Sequence, residues 1–562
     1  MKRYMLIFFG LCMVAGMKAQ KQNFELSKNI DIFNSVVKEL NMHYVDTVKN
    51  EKIIHAGING MLNELDPYTV YFSEDESKDL KMFVTGKYAG MGAIIRYYKA
   101  EDRAVISEPY EDMPALVAGV KAGDVILSID GKDIPKKGDK PVSDYISSVS
   151  NQLRGDPNTS FILKVKRAGV SKPLEFKITR KNIQIPSLTC YDMVADGIGY
   201  ICLNSFTQEG LSKLVRRAVI ELKSQGAKKI IIDLRNNGGG LESEAVDIAN
   251  LFVPKGKMIA QNKGKVKSSC VVYKTTKDAL DTEIPLAVLV NSASASASEI
   301  LSGSLQDLDR AVIIGTRTYG KGLVQVVHDL PYGGGLKVTT AKYYIPSGRC
   351  IQAIDYEHRN EDGSVGRIPD SLTTVYKTAA GREVRDGGGI LPDIVVAGDS
   401  LPNLIYYMAN DDILFDYANE YVASHPKPAS AKEINYTDAD YEVFKKKVID
   451  GDFKYDRQSE KTLKVLKDIA KFEGYSEDIK DELASLEKKL THNTEHDLNH
   501  FKKNICELIT QELALRWFYQ KGGVLERNQH DKVIDEAIRV LNSDEYTNIL
   551  SAPAPVKKEK KK

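Results

Sequence analysis

The chain has 562 residues, too many for one hydrophobic core and enough for three or four domains at roughly 100 to 200 residues each. Its 78 lysines and arginines against 77 aspartates and glutamates leave a net charge of +1, so no global field draws it to nucleic acid or acidic lipid. Nucleic-acid binding therefore starts without support, and membrane association is expected to be peripheral at most.

The chain opens on Met1-Lys2-Arg3 and a mostly apolar run from Tyr4 to Met17, followed by Ala19-Gln20. This is the pattern of a signal peptide over residues 1–19, shorter than the about 20 apolar residues that span a bilayer, and it predicts an exported protein, periplasmic, envelope-bound or extracellular. Five cysteines follow the segment, Cys190, Cys202, Cys270, Cys350 and Cys506. An odd, scattered set of this kind is no disulfide framework and reads as buried free thiols, with Cys190 and Cys202 alone near enough in sequence to invite a bridge.

Residues 20–85 read as an N-terminal helical segment, with apolar side chains at helical spacing (Ile32, Val36, Leu40, then Ile54, Ile58, Met61) stopped at Leu65-Asp66-Pro67. Residues 86–182 switch to short β-branched runs punctuated by glycine, a small β-rich domain. Residues 183–398 alternate: strands are predicted at 198–203, 229–234 and 286–290, and helices at 210–225 and 298–308, which argues an α/β layer. Residues 399–550 read as a helical domain with one apolar stripe through Leu483, Leu486, Leu490, Leu498, Phe501, Ile505 and Leu508. Residues 551–562, rich in lysine and proline, read as a disordered solvated tail. The expected architecture is an α/β multidomain protein: an α/β core with an inserted β-rich domain, flanked by helical segments.

Three segments of the α/β region carry chemistry. Asn291-Ser-Ala-Ser-Ala-Ser-Ala-Ser-Glu-Ile300 lies between a predicted strand and a predicted helix, so a serine there stands at a helix N-terminus, where unpaired amides favour developing negative charge. Thr318-Tyr-Gly-Lys-Gly-Leu-Val-Gln325 sets Lys321 between two glycines and opens an alternating run, in which positions 321, 323 and 325 share a face of a strand. Ile230-Ile-Ile-Asp-Leu-Arg-Asn-Asn-Gly-Gly-Gly-Leu241 is a buried strand running into a glycine turn able to present amides to a ligand, with Asp233 and Arg235 as a structural pair pinning it. Each has a bland alternative: a helix start, a solvated loop lysine, a tight turn.

Together with Leu65-Asp-Pro67, Pro346-Ser-Gly-Arg349 and Gly389-Ile-Leu-Pro-Asp393, these motifs run in unbroken order from about residue 33 to 394 and resemble the carboxyl-terminal processing peptidase family. The resemblance implies a serine endopeptidase that cuts protein substrates at or near their C-terminal tails, with Ser296 as nucleophile, Lys321 as general base and Gln325 orienting the lysine. The oxyanion would be held by the amide of Ala297 with one from Gly238 or Gly239. Lys321 must be neutral to act, and lowering a lysine from about 10.4 to near 7 means about 4 to 5 kcal/mol of destabilised charge, hence a dry cleft. The β-rich domain resembles a PDZ module. That resemblance implies that Tyr88, Gly90, Met91, Gly92, Ala93 and Ile94 form its carboxylate-binding loop and accepting strand, and makes Arg154 a candidate for coupling that module to the active site. Substrates with free C-termini are the expected partners; an adaptor or a second copy at the helical ends is left open.

His492, His496 and His500 repeat at a spacing that binds zinc on a helix, but they face away from Leu498 and Phe501 and read as a solvated face. No metal or other cofactor is expected. The Gly-x-Ser-x-Gly elbow is absent at Ser296, and no histidine sits in a triad setting. The rival reading, a non-catalytic peptide-binding scaffold, predicts loss of Ser296, Lys321 or Gln325, and all three are present.

Overall fold

In the computed structural model, residues 2–74, 76, 86–360, 364–398, 401–490 and 493–551 are described. The tail 552–562 and His492 lie outside them. The chain divides into two units, residues 1–77 with 325–339, and residues 78–324 with 340–562.

The first unit holds helix α1 (Lys2–His43), helix α2 (Asn50–Asn63) and strand β1 (Val70–Phe72). Leu-Asp-Pro ends the helical segment as predicted: Asp66 accepts the amides of Tyr68 and Thr69, both at 2.8 Å, which folds the chain into a turn leading to β1. β1 pairs antiparallel with Gly335–Lys337. No helix among the described residues is long and apolar enough to cross a membrane.

In the second unit, β2 (Lys87–Gly90) leads into β3 (Ala93–Tyr98), β4 (Arg103–Pro109), helix α3 (Pro114–Val117), β5 (Val125–Ile129), β6 (Lys132–Asp133), helix α4 (Val142–Leu153), β7 (Ser160–Lys166), β8 (Leu174–Thr179) and β9 (Lys181–Gln184). The sheet order is β3-β4-β5-β7-β8, so β3 is an edge strand. Ile106, Ile126, Tyr145, Val149, Phe161 and Leu163 fill the core between this sheet and α4. β2 pairs with β9, so the chain enters and leaves this domain side by side, as an insertion must.

The α/β core consists of β10 (Leu188–Ala195), β11 (Ile198–Leu203), helix α5 (Leu211–Ser224), β12 (Lys229–Asp233), helix α6 (Glu242–Ala249), the excursion β13 (Met258–Gly264) and β14 (Val271–Lys274), β15 (Leu286–Val290), helix α7 (Ala297–Asp307) and β16 (Val312–Gly315). β11, β12, β15 and β16 run parallel in sequence order, with β10 antiparallel at one edge and Ile394–Val395 at the other. Parallel strands taken in order by right-handed crossovers put every connecting helix on one face. α5, α6 and α7 accordingly bury one face, with Ile230, Ile232, Leu286, Val288 and Ile313. The opposite face, with Tyr200, Ile231, Ala287, Leu289 and Ile314, is covered by residues 533–541 from near the end of the chain. Both faces being covered is why these strands are apolar without alternation. β17 (Leu323–Asp329) and β18 (Gly335–Tyr344) follow, and Ala341–Tyr344 of β18 pairs with β13.

The helical region comprises α8 (Asn403–Asn410), α9 (Ile413–Ser424), α10 (Asp438–Asp450), α11 (Gln458–Glu473), α12 (Lys480–Leu490), α13 (Thr494–His500), α14 (Lys502–Asn528), α15 (Lys532–Leu541) and α16 (Glu545–Leu550). The single apolar stripe expected from Leu483 to Leu508 is three helices instead. Asn493 accepts the amide of His496 at 2.6 Å and caps a new helix, so Leu498 and Ile505 are buried while Leu486 is exposed. α9 grips the β-rich domain: Arg96 of β3 donates to Asp412 at 2.5 Å and lies 4.2 Å from the centre of the Phe415 ring, and the Tyr98 hydroxyl donates to Asp416 at 2.9 Å. Phe415 itself packs on Val105 and Val125.

Candidate active site

The three chemistry-bearing segments leave the carboxyl ends of three neighbouring parallel strands, β12, β15 and β16, where open α/β sheets place their ligands. The four serines after β15 are sorted by their surroundings. Ser292 is exposed. Ser294 and Ser298 are fully buried and donate their hydroxyls to the carbonyls of Leu234 (2.7 Å) and Asn237 (2.8 Å). Ser296 is half-buried, directly precedes α7, and has φ 56 and ψ −115, a left-handed-side conformation that a non-glycine residue adopts only when its surroundings impose it.

Those surroundings centre on Glu299, which has no exposed surface. One of its oxygens accepts the amides of Ser296 and Lys321, both at 2.9 Å; the other accepts the Gly320 amide at 2.7 Å and the Thr318 hydroxyl at 2.5 Å. Burial pushes this carboxyl up to about 6 against the opposing pull of its four donors. The Ser-x-x-Glu spacing from 296 to 299 is the capping-box pattern, a sequence signal by which Glu299 was readable.

The rest of the lysine loop is equally accounted for. Gly320 has φ 88, and a Cβ there would meet that of Ala353 at 2.3 Å, so only glycine fits. Its carbonyl accepts from Ala353 at 2.9 Å, the Gly322 amide donates to Gln352 at 2.7 Å, and the Gly322 carbonyl accepts from Tyr343 at 3.0 Å. Lys321 precedes β17, which begins at Leu323, rather than opening it as the alternation suggested; Gln325 donates to Thr339 at 3.2 Å. Glu242, at the start of α6, interacts electrostatically with Lys321. Burial raises its carboxyl, which accepts from Asn262 at 2.9 Å.

The glycine turn abuts the serine. Gly239 has φ 99, and a Cβ there would lie 2.7 Å from the Ala295 carbonyl and 2.8 Å from the Ser296 Cβ. Its amide is engaged by the Asn237 side chain at 2.9 Å, whereas among the described residues the amides of Gly238 and Ala297 meet no acceptor. Asn237, fully buried, also donates to the Leu203 carbonyl at 2.8 Å. Asp233 and Arg235 are the structural pair expected, joined at 2.7 Å, and Arg235 reaches Asp531 at the start of α15 at 2.6 Å. The remaining motifs are scaffolding: Arg349 is buried against Asp307 at 2.8 Å, tying the end of α7, and Asp393 accepts from Arg382 at 2.6 Å.

In the β-rich domain, Gly90, Met91 and Gly92 connect β2 to the edge strand β3, which α4 faces. Gly92 (φ 73) leaves no room for a Cβ against Met113. Ala93 and Ile94 begin β3, with Ile94 exposed. Arg154 lies 5.8 Å from the centre of the Tyr88 ring, at the point where α4 ends beside β2. Cys190 and Cys202 are direct cross-strand partners, buried and free, and burial pushes the Cys202 thiol up to about 11. Contrary to the expectation of buried thiols throughout, Cys270 is exposed, in the turn that enters the edge strand β14, and Cys350 and Cys506 are half-buried. His496 and His500 are exposed, and no group of three or more potential metal ligands occurs among the described residues.

Residues 197–358 match peptidase family S41, residues 105–167 a PDZ domain, and residues 404–541 the C-terminal helical domain of probable PDZ-proteases. The carboxy-terminal-processing protease of Bartonella bacilliformis is 36% identical over 331 residues, 58% of this chain and 73% of that protein. The chain belongs to peptidase family S41. This peptidase is also 36% identical to a probable CtpA-like serine protease of Staphylococcus aureus over 58% of its own length and 62% of that protein's. The solved photosystem II D1 C-terminal processing protease is 26% identical, with 64% of this chain and 85% of that one covered at a TM-score of 0.35. The peptidase is thus of the serine type, with a PDZ domain inserted ahead of an S41 core and a helical domain behind it.

Proposed function

We propose that the peptidase cuts exported or envelope proteins at or near their C-terminal tails, using Ser296 and Lys321 as a dyad acting through an acyl-enzyme. The observation that carries this reading is the shared carboxylate: one Glu299 oxygen binds the main-chain amides of the one strained, half-open serine and of the glycine-flanked lysine. Neutral Lys321 takes the proton from Ser296 as its hydroxyl attacks the scissile carbonyl, and returns it to the leaving amine. The resulting acyl-enzyme is opened by water, with Lys321 again as base. The amides of Ala297 and Gly238 are the oxyanion donors favoured here, because that of Gly239 is already engaged. Gln325 is assigned to orient Lys321 on its place in the motif.

The PDZ domain supplies the tail reader. A peptide C-terminus would lie at Gly90–Gly92 and extend along the free edge of β3 past Ile94, with Tyr88 and Arg154 beside it, the latter as a coupling residue. Export rests on the basic and apolar start of the sequence.

The test is cleavage of casein and of a tail-tagged substrate by Ser296→Ala and Lys321→Ala beside the unaltered enzyme. Each variant is expected to lose at least about a thousand-fold in kcat. Equal activity in all three proteins would sink the dyad.

A further inference from the structure

Tyr343, on the part of β18 that pairs with β13, has no exposed surface. Its amide donates to the Gly322 carbonyl at 3.0 Å, and its hydroxyl reaches two carbonyls at once, that of Lys321 at 2.6 Å and that of Ser296 at 3.1 Å. The nucleophile and base residues are therefore bridged twice: Glu299 takes their two amides, and Tyr343 serves their two carbonyls.

We propose that Tyr343 is a positioning residue for the general base, its phenol hydrogen fixing the Lys321 main chain relative to Ser296. This rests on the serine–lysine reading above. The bridge is asymmetric in a way that assigns its role. A phenol has one hydrogen, and the shorter bond goes to Lys321. The Ser296 carbonyl also accepts the amides of Glu299 at 2.8 Å and Ile300 at 2.9 Å, as the first turn of α7, so it stays in place without the phenol. Removing the hydroxyl thus releases the lysine end selectively. Burial, with the carboxyls of Glu299 and Glu242 nearby, holds the phenol well above its ordinary value of 10, so it remains a donor throughout the working pH range. Lys321 reaches its target through a long, flexible side chain, and reacting groups must be held to within about 0.5 Å of the productive geometry. A main-chain shift there lowers the rate of proton transfer without touching substrate binding.

The experiment separates the hydrogen-bond donor from the volume of the ring. Tyr343→Phe removes the hydroxyl; 4-methylphenylalanine at position 343 fills its space without a donor; 4-aminophenylalanine restores an N–H donor there. On the tail-tagged substrate, the first two are expected to lower kcat about ten- to a hundred-fold with KM within two-fold, and the third to recover most of it, all three melting within a few degrees of the unaltered enzyme. The acid limb of kcat/KM should also shift in the donor-less proteins and return with the amino variant. The proposal is overturned if the donor-less variants keep kcat within two-fold. It is equally overturned if the methyl and amino variants lose activity alike, or if losses follow melting temperature across the series, since a purely structural role behaves so. Should Tyr343→Phe fail to fold, the methyl–amino pair decides alone. Ser296→Ala and Lys321→Ala run in parallel: if these retain activity the dyad itself fails, whereas inactive dyad variants beside an unaffected donor series refute only the role of Tyr343.

Discussion

Ser296 and Lys321 are joined through Glu299 and Tyr343, neither of which has any exposed surface, whereas strand β3 of the PDZ domain is joined to α9 through Arg96, whose side chain is 32% exposed, against Asp412 at 4%. At the first junction the bonds to Ser296 and Lys321 all end on main chain and both bridging side chains are buried, so salt reaches it poorly. At the second, most bonds are between side chains at a rim, Arg96 to Asp412, Lys99 to Asp411 at 2.8 Å, and Tyr98 to Asp416, beside one from the Lys99 amide to Asp412 at 3.3 Å, and Arg516 lies 4.9 Å from the centre of the Phe415 ring. Ser296 and Lys321 are thus held through fully buried side chains, and the PDZ domain through partly exposed ones.

The contrast is broken most severely at its rigid end. Glu299→Ala strands the Thr318 hydroxyl and three amides without an acceptor in a dry site, and should cost at least about 3 kcal/mol in denaturant unfolding and abolish cleavage. A variant as stable as the parent would show that the carboxylate is dispensable. Arg96→Ala leaves Asp412 nearly buried without its cation and should weaken the PDZ–α9 junction by about 1 to 3 kcal/mol. The readout is faster hydrogen exchange in β3, β4 and α9 with β12, β15 and α7 unchanged, and high salt should push the unaltered enzyme the same way. Uniform exchange across both junctions would erase the distinction.

The smallest effect is a pH dependence. Glu108, on β4 facing α14, is pushed up to about 7 by burial, from an ordinary 4.5. Because the docked form holds this proton more tightly than the undocked one, its contribution is fully present below about pH 4.5 and is lost as pH rises through about 7, at most about 3 kcal/mol. Exchange in β4 should therefore accelerate between those limits, and Glu108→Gln should flatten the profile. A profile that steepens, or is unaltered in the variant, would assign the effect elsewhere; Glu299, raised to about 6, titrates with the same sign but is read at α7.

Much of this was legible in the residues. Period and punctuation located the strands at Ile198–Leu203 and Leu286–Val290 without error, because each is local, apolar and bounded by turn residues. Motif spacing favours Ser296 within the run of serines, and the structure sets it apart from two of its neighbours, because Ser294 and Ser298 donate their hydroxyls to main-chain carbonyls. What escaped was non-local. Nothing in the neighbourhood of Tyr343 announces a partner 22 residues upstream at Lys321 and another 47 residues upstream at Ser296, and nothing near Asp412 points 316 residues back to Arg96. The stripe from Leu483 to Leu508 misled because apolar spacing survives a helix break that a single capping asparagine introduces.

The core sheet's second face has a consequence for the order of events during synthesis. Its cover, Val533, Ile534, Ala537, Val540 and Leu541, and the Asp531 that holds Arg235 beside the glycine turn, emerge more than 200 residues after Ser296. A nascent chain therefore carries Ser296 long before the sheet beneath it is sealed. Closure of that face, and with it the Asp531–Arg235 brace beside the glycine turn, waits on the C-terminal region of the chain.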